Sequence, residues 1–553
     1  MLPGLDSQTH RLADLSPRRP NMPTEQSQQD LRRSELPDLP QALLSRSPLR
    51  WITIFGPGAI VASVTIGTGE LIFSTRGGVL FGYNILFLFV FISLLKWVLV
   101  FGTSKHLLLT GVHPFRRMMD LPGPRGWLPM MLLMMICVTQ PIWMSFHSST
   151  LGNFVALLTG TADSLNGGAQ FMWAILLVSL VVAISYSGGY NIMERIQIVV
   201  VAGLMVAAVV SLVMYDPDYF GLLKGVVTPV FGDYPDWIEN KFEKVWKTPK
   251  WVELTTYVGV IGGAGFDYMA YTTWLREKRW GYAGSHPPSQ QELQAIADDP
   301  HHPARVWLKA PLIDCGISFL LVVLFSAVFV TSGVELLGPR QEIPDGSNML
   351  GQQSRILTEV RPWLYPLYVA GAILTMFGTL YGTIEIGVAI VTEILRSFNA
   401  EWTNANRHRI ERVVLAWQVC FAIVVVLAMF TVVYSAETDG GPNPAKEIIL
   451  QVLRPVNLFT GVLATGIFCL ANLWIEKTRT PRNLQSPAWT QTMYVFAGVV
   501  FLGLGLKGYW DNHDPAGGLL QSRWFAIGGI IAVTILSTIV VNSFGRWFGG
   551  KRA

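Results

Sequence analysis

The chain has 553 residues, 51% hydrophobic and only 14% charged, with a net charge of +4 and a mean hydropathy of +0.40. A soluble globular chain carries about 25% charged residues, and here the apolar residues fall in runs of roughly 20, long enough to cross a bilayer as helices. These figures exclude a soluble enzyme, a disordered chain and a nucleic-acid-binding module; they also exclude an outer-membrane barrel, whose strands alternate and run only about 10 residues.

Residues 1–48 are polar and rich in Pro, Ser, Gln and Arg. They cannot bury enough apolar surface to fold and are expected to form a disordered cytoplasmic tail. No apolar stretch precedes a small-residue cleavage site, so the segment does not read as a signal peptide. Its acids (Asp6, Asp14, Glu25, Asp30, Glu35, Asp38) weigh against an organellar transit peptide.

About twelve transmembrane helices follow, near 51–79, 83–110, 127–151, 170–187, 192–214, 252–275, 308–332, 363–393, 412–434, 448–475, 488–507 and 522–545. The fold class is an all-α polytopic membrane protein. The core is expected over 49–475, with two additional helices over 476–553. Placing both termini inside puts Arg116, Arg117, Arg125, Arg276, Lys278, Arg279, Arg305, Lys309, Arg407, Arg409, Lys477, Arg479 and Arg482 in inner loops, as the positive-inside rule requires. The 215–251 loop carries five Lys yet is placed outside, because long loops cross with less regard to charge. Trp51, Trp127, Trp237, Trp363, Trp510 and Trp524 sit near span ends, as in an interfacial belt. Cys137, Cys315, Cys420 and Cys469 lie in apolar runs without metal-site spacing and read as buried thiols.

Spans one and six share a device. Span one contains Gly67-Thr68-Gly69-Glu70, and span six contains Gly262-Gly263-Ala264-Gly265-Phe266-Asp267. Glycine is poor in helix interiors and marks places where a helix unwinds. Unwound backbone at membrane depth needs protein or water to satisfy it, and a carboxylate there points to function. The recurrence five spans apart predicts two inverted five-helix repeats around a shared midplane site. The alternative is glycine used for close packing, with each acid paired to a buried base. Carbonyl oxygens and two carboxylates suit a hard cation.

In these positions the chain resembles the Nramp family of divalent-metal transporters, over roughly 51–475. The likeness rests on Gly56-Pro57-Gly58, then Gly67-Thr68-Gly69-Glu70 in place of the family's metal-binding motif, then Gly78 and Phe81-Gly82-Tyr83. Thr110-Gly111, Gly189 with Glu194, Ile313-Asp314 and Glu393 follow in the family's order. The resemblance implies a LeuT-type 5+5 inverted repeat with discontinuous helices 1 and 6. It implies a non-enzymatic secondary transporter with alternating access, needing no cofactor, whose partners are a divalent cation as substrate and the lipid bilayer rather than nucleic acid. The expected location is a bacterial inner membrane.

The departures from the family lie at its ligands. Its metal-binding Asp falls on Gly67 and its Asn on Glu70; its methionine-proline-histidine falls on Phe266, Asp267 and Tyr268; a glutamine falls on Asn457. Its proton-carrying acids fall on Met134, Pro141 and Met144. The expected metal-site set is therefore Gly67, Thr68, Glu70, Gly263, Asp267 and Asn457. With the methionine sulfur replaced by Phe266 and carboxylates present at Glu70 and Asp267, a hard ion such as Mg²⁺ or Mn²⁺ is favoured, with weak or absent proton coupling.

Three further groups are singled out. Lys96, in the middle of span two, reads as a counter-charge to Glu70, as an internal cation, or as part of a structural ion pair. His147 and Glu385 read as proton carriers or as satisfied core groups. Arg76, about 9 Å along a helix from Glu70, reads as an interfacial anchor or gate. If Lys96 neutralises Glu70, the same fold would suit an amino acid or another small organic solute, bound through half-helix N-termini.

Overall fold

The computed structural model describes residues 36–187, 217–285, 287–344, 362–438, 445–511 and 523–548, with scattered positions between 188–216 and between 345–361. Most of the expected tail, nearly all of span five, and Gly189 and Glu194 of the family pattern lie outside the described residues.

Among the described residues the secondary structure is helical, as composition requires. Span one is two helices, α1 (Pro57–Ile66) and α2 (Thr68–Phe81), separated by Gly67 alone. Then come α3 (Ile85–Thr110), α4 (Trp127–Leu158) and α5 (Ala169–Ser187). Span six is again two helices, α6 (Lys250–Val260) and α7 (Gly265–Glu277). The chain continues through α8 (Lys309–Thr331), α9 (Tyr365–Phe398), α10 (Arg407–Thr438), α11 (Ala445–Asn457), α12 (Ala464–Arg479), α13 (Ala488–Asp511) and α14 (Arg523–Phe548).

By length and apolarity, eight described helical stretches can each cross a membrane, or up to nine if a pair bent by 84° (Pro48–Ile54 with Pro57–Ile66) counts as one. They account for spans two, three and seven to twelve of the sequence reading. The difference from twelve has a physical cause. Half-helices of 10 to 14 residues in spans one and six are too short to cross alone. Span four is a shorter apolar helix, Ala169–Ser185 by that measure, and span five falls outside the described residues.

The broken spans sit in the middle of the bundle. Helix α1 packs on α8 and α9, α2 on α8, and α7 on α3 and α9, while α6 lies against the segment joining α11 to α12. That segment, Leu458–Leu463, is a π-helical stretch. It approaches α6 so closely that a methyl group on Gly461 would lie 2.3 Å from the Gly259 carbonyl oxygen. Asp314, at the start of α8, receives the Gly56 and Gly58 amides at 2.9 and 2.8 Å and the Tyr271 hydroxyl at 2.9 Å. Its carboxylate thereby satisfies amides at the N-terminus of α1, where the helix dipole favours negative charge.

The outermost helices are exposed on the faces a bilayer would cover: the apolar window of α14 is 11% buried and that of α10 is 28% buried. This explains a correction to the cysteine reading. Cys315 and Cys469 are buried, but Cys137 is half-buried and Cys420 is exposed on α10. A lipid-facing thiol avoids water without being covered by protein.

Candidate functional site

At span six the helix stops at Val260, and Gly262 and Gly263 take φ of +80° and +94°. That left-handed region is open to glycine and strained for other residues. The turn leaves the carbonyls of Gly259, Ile261, Gly262 and Gly263 to side-chain donors, while that of Val260 accepts the Gly263 amide at 3.1 Å, and it exposes the first amides of α7. Asp267 reaches back to accept the Ala264 amide at 2.7 Å, an N3 carboxylate closing on the amide of its own helix cap. At span one, Glu70 lies in the first turn of α2, is fully buried, and accepts the Gly262 amide at 3.0 Å. Its other oxygen has no hydrogen-bond partner among the described residues. Thus Glu70 and Asp267, the carboxylates of the two breaks, are both held by the broken backbone of span six.

Lys96, fully buried on α3, completes the cluster. Its ammonium donates to the carbonyls of Ile261 and Gly263, each at 2.6 Å, and approaches that of Gly259 at 3.5 Å. The Tyr268 hydroxyl donates to the Gly262 carbonyl and lies 3.2 Å from that of Gly263. The Gly263 carbonyl, expected to face a cation, faces this internal ammonium.

Other members of the expected set are placed differently. Gly67 is pressed against α9: a methyl group there would lie 1.5 Å from Thr379 Oγ1. Its carbonyl accepts the Leu71 amide at 3.2 Å, so it begins the hydrogen bonding of α2. The side chain of Thr68 lies outside the described set. Asn457 is fully buried on the far side of α6, donating to the Thr256 carbonyl at 3.0 Å, with its Oδ1 facing Gly259 and unpartnered among the described residues.

A small cavity opens on the Asp267 side of the break, with about 40 Å³ of room for water centres. It is lined by Thr65 and Gly69 of span one, Gln140, Trp143 and His147 of α4, Gly263 and Asp267 of span six, Thr383 of α9, and Thr460. His147 stacks on Trp143, with ring centres 5.4 Å apart. The Trp143 indole donates to Thr460 at 3.0 Å, and the Gln140 amide donates to the Thr383 carbonyl at 2.6 Å. Sequence reasoning missed Thr65, Gln140, Thr383 and Thr460. A short polar residue in an apolar span is common, and only its facing the break gives it meaning. Glu385 lies in a different, larger cavity, where it accepts from Ser185 at 2.6 Å. Among the described residues, no cluster of three or more His, Cys, Asp or Glu side chains has metal-site geometry. Any ion here would draw on backbone, hydroxyl and amide oxygens as well as carboxylates.

Arg76 is buried rather than interfacial. Its guanidinium meets Glu253 of α6 at 2.8 and 3.2 Å, and Arg454 approaches the same carboxylate at 3.7 Å. The pair ties α2 to α6, one half of each broken span. At the opposite pole, Glu393 of α9 joins Arg276 of α7 at 2.6 Å and Arg396 at 2.7 Å.

Paired broken helices, carboxylates at the breaks and a bundle clothed in apolar helices define an integral, multi-pass membrane protein with a LeuT-type transporter fold. The profile of the family "Natural resistance-associated macrophage protein-like", Nramp, matches residues 58–383. The chain belongs to the Nramp family. Its fold is that of the Eremococcus coleocola manganese transporter: crystal structures of two of its variants superpose with a TM-score of 0.61 at 14% identity, covering 90% of this chain and 96% of theirs. A third structure, the same transporter with an aromatic bis-isothiourea compound, gives 0.60 with the same identity and coverage. No curated protein matches the sequence.

Proposed function

We propose that the chain is a secondary transporter that carries a divalent cation through the cavity beside Asp267, by alternating access around the two broken spans. The observation that carries this reading is the convergence of Glu70 and Asp267, one from each broken span, on the backbone of one break. Membership of the Nramp family and likeness in fold to a manganese transporter support a metal cargo.

The proposed cargo ligands are Asp267, Thr65 and Gln140, with His147 at the cavity wall. Oxygen-dominated donors suit Mn²⁺ or Mg²⁺. A cavity of about 40 Å³ admits one to three waters, so the ion would keep part of its hydration, as Mg²⁺ prefers. The same geometry disfavours an amino-acid cargo. A substrate carboxylate needs free half-helix N-termini, yet Asp267 already accepts at the start of α7 and Glu70 lies in the first turn of α2.

The test is uptake by the purified full-length chain in proteoliposomes under an inside-negative potential, comparing Mn²⁺, Mg²⁺ and Ca²⁺ with a set of amino acids. Saturable uptake of a divalent ion is expected. Amino-acid accumulation without metal uptake overturns the reading.

A further inference from the structure

The cage around Lys96 has the chemistry of a second cation site, separate from the cargo cavity. The carbonyls of residues 259, 261 and 263 converge on one point, where they replace the hydration shell of a positive charge. Unwound carbonyls of this kind coordinate monovalent cations at broken helices. Two further oxygens border the cage without hydrogen-bond partners among the described residues. One is Glu70 Oε2, on the carboxylate that holds the Gly262 amide. The other is Ser93 Oγ, one turn before Lys96 on α3, which lies 3.5 Å from where a methyl group on Gly262 would stand. An ammonium has three protons to donate, and the carbonyls take them, leaving these oxygens unmet. A spherical ion, bound by oxygens from any direction, would have use for them.

We propose that this cage is a monovalent-cation site, for Na⁺ or K⁺, whose ion is replaced by the chain's own Lys96 ammonium. The charge that stabilises the break is thereby covalently attached, and the transporter needs no dissolved monovalent ion to hold its broken span in shape. This rests on the reading of the break as a transport site, but the cage itself can be tested without cargo.

The test uses the full-length chain and Lys96→Met, which keeps most of the apolar stem and removes the ammonium. Lys96→Ala serves as a second variant with a wider opening. Melting temperature and detergent-extracted yield of folded protein are compared in NaCl, KCl and N-methylglucamine chloride at constant ionic strength. The wild type is expected to be indifferent to the cation. Each variant is expected to gain a saturable, cation-specific rise in melting temperature or yield, because an ion that binds only the folded state stabilises it. Equal behaviour of the variants in all three salts, including failure to fold in all three, overturns the proposal; so does a wild type that responds as the variants do. In proteoliposomes, cargo uptake by the variants should rise about tenfold when N-methylglucamine is replaced by the preferred ion, following occupancy of the site. Cation-specific stabilisation of the variants, with no metal uptake by any form, would leave the cage established and refute only the transport reading.

Discussion

At the scale of single residues, the two carboxylates have different duties. Asp267 lines the small cavity proposed to take the cargo, while Glu70 holds the Gly262 amide beside the Lys96 cage. Asp267→Asn is expected to abolish metal uptake while leaving a folded protein, because the amide oxygen still accepts the Ala264 amide and the charge is gone. Glu70→Gln is expected to abolish uptake too, and also to lower the melting temperature, since it neutralises the carboxylate that holds the Gly262 amide beside the Lys96 cage. Uptake assays paired with thermal unfolding separate the two, and unchanged uptake in both variants rejects the assignment. Gly67 is where the family's metal-binding Asp would fall, and α9 leaves no space for it. Gly67→Ala should destabilise by about 1–3 kcal/mol or more through overpacking, and Thr379→Gly should restore part of the loss. Unfolding midpoints of the single and double variants decide this. His113, in the loop after α3, offers a pH test. Its ring accepts the Phe115 amide at 3.3 Å, and burial, followed by the nearby Arg276 and Arg396, holds its pKa well below 6.5. A neutral buried histidine contributes stability above pH 6.5 that is lost progressively as pH falls below it, since the unfolded state then binds the extra proton. His113→Gln should flatten that part of the stability–pH curve.

At the scale of elements, both breaks were legible because glycine and carboxylate recur at matching places in spans one and six. Their widths were not. Span one is interrupted by Gly67 alone, while span six unwinds over four residues, 261–264. Only span six has two glycines at positive φ, and only its carbonyls receive a buried lysine. The Arg76–Glu253 pair could not be read from sequence, since 177 residues separate its members. Removing one partner from a buried pair leaves an uncompensated charge, at a cost of about 3–5 kcal/mol. Glu253→Ala should therefore destabilise strongly, whereas Arg76→Met with Glu253→Leu should recover most of the loss. A double-mutant cycle on thermal stability measures the coupling, and additive losses would show that the pair does not join α2 to α6.

At the scale of the whole molecule, the driving force follows from what the cavities contain. The resemblance to the family places its proton-handling acids on Met134, Pro141 and Met144, and Glu385 lies in a cavity apart from Asp267. Weak or absent proton coupling is the expected result. An inside-negative potential of about 100 mV contributes about 4.6 kcal/mol to a doubly charged ion, twice the single-charge value of about 2.3 kcal/mol, enough to drive uptake without protons. A pH-sensitive dye inside liposomes held at fixed potential should stay constant while metal enters. Stoichiometric acidification requiring both protein and metal would instead assign a proton path through Glu385 or His147.

Sequence by itself determined the membrane class, the position of both breaks and the identity of the acids at them. Those features are local: apolar run length, glycine placement and a charge in an apolar setting each leave a mark within twenty residues. Tertiary structure decided which polar groups meet. It turned Gly67 toward Thr379, placed Asn457 behind α6, brought Gln140, Thr383 and Thr460 around the cavity, and chose carbonyl oxygens over Glu70 as the partners of Lys96. The physical reason is that a buried ammonium takes whichever acceptors the packed helices bring within reach. Those acceptors exist only because span six unwinds beside α3, and backbone carbonyls carry no residue-specific signature in the sequence.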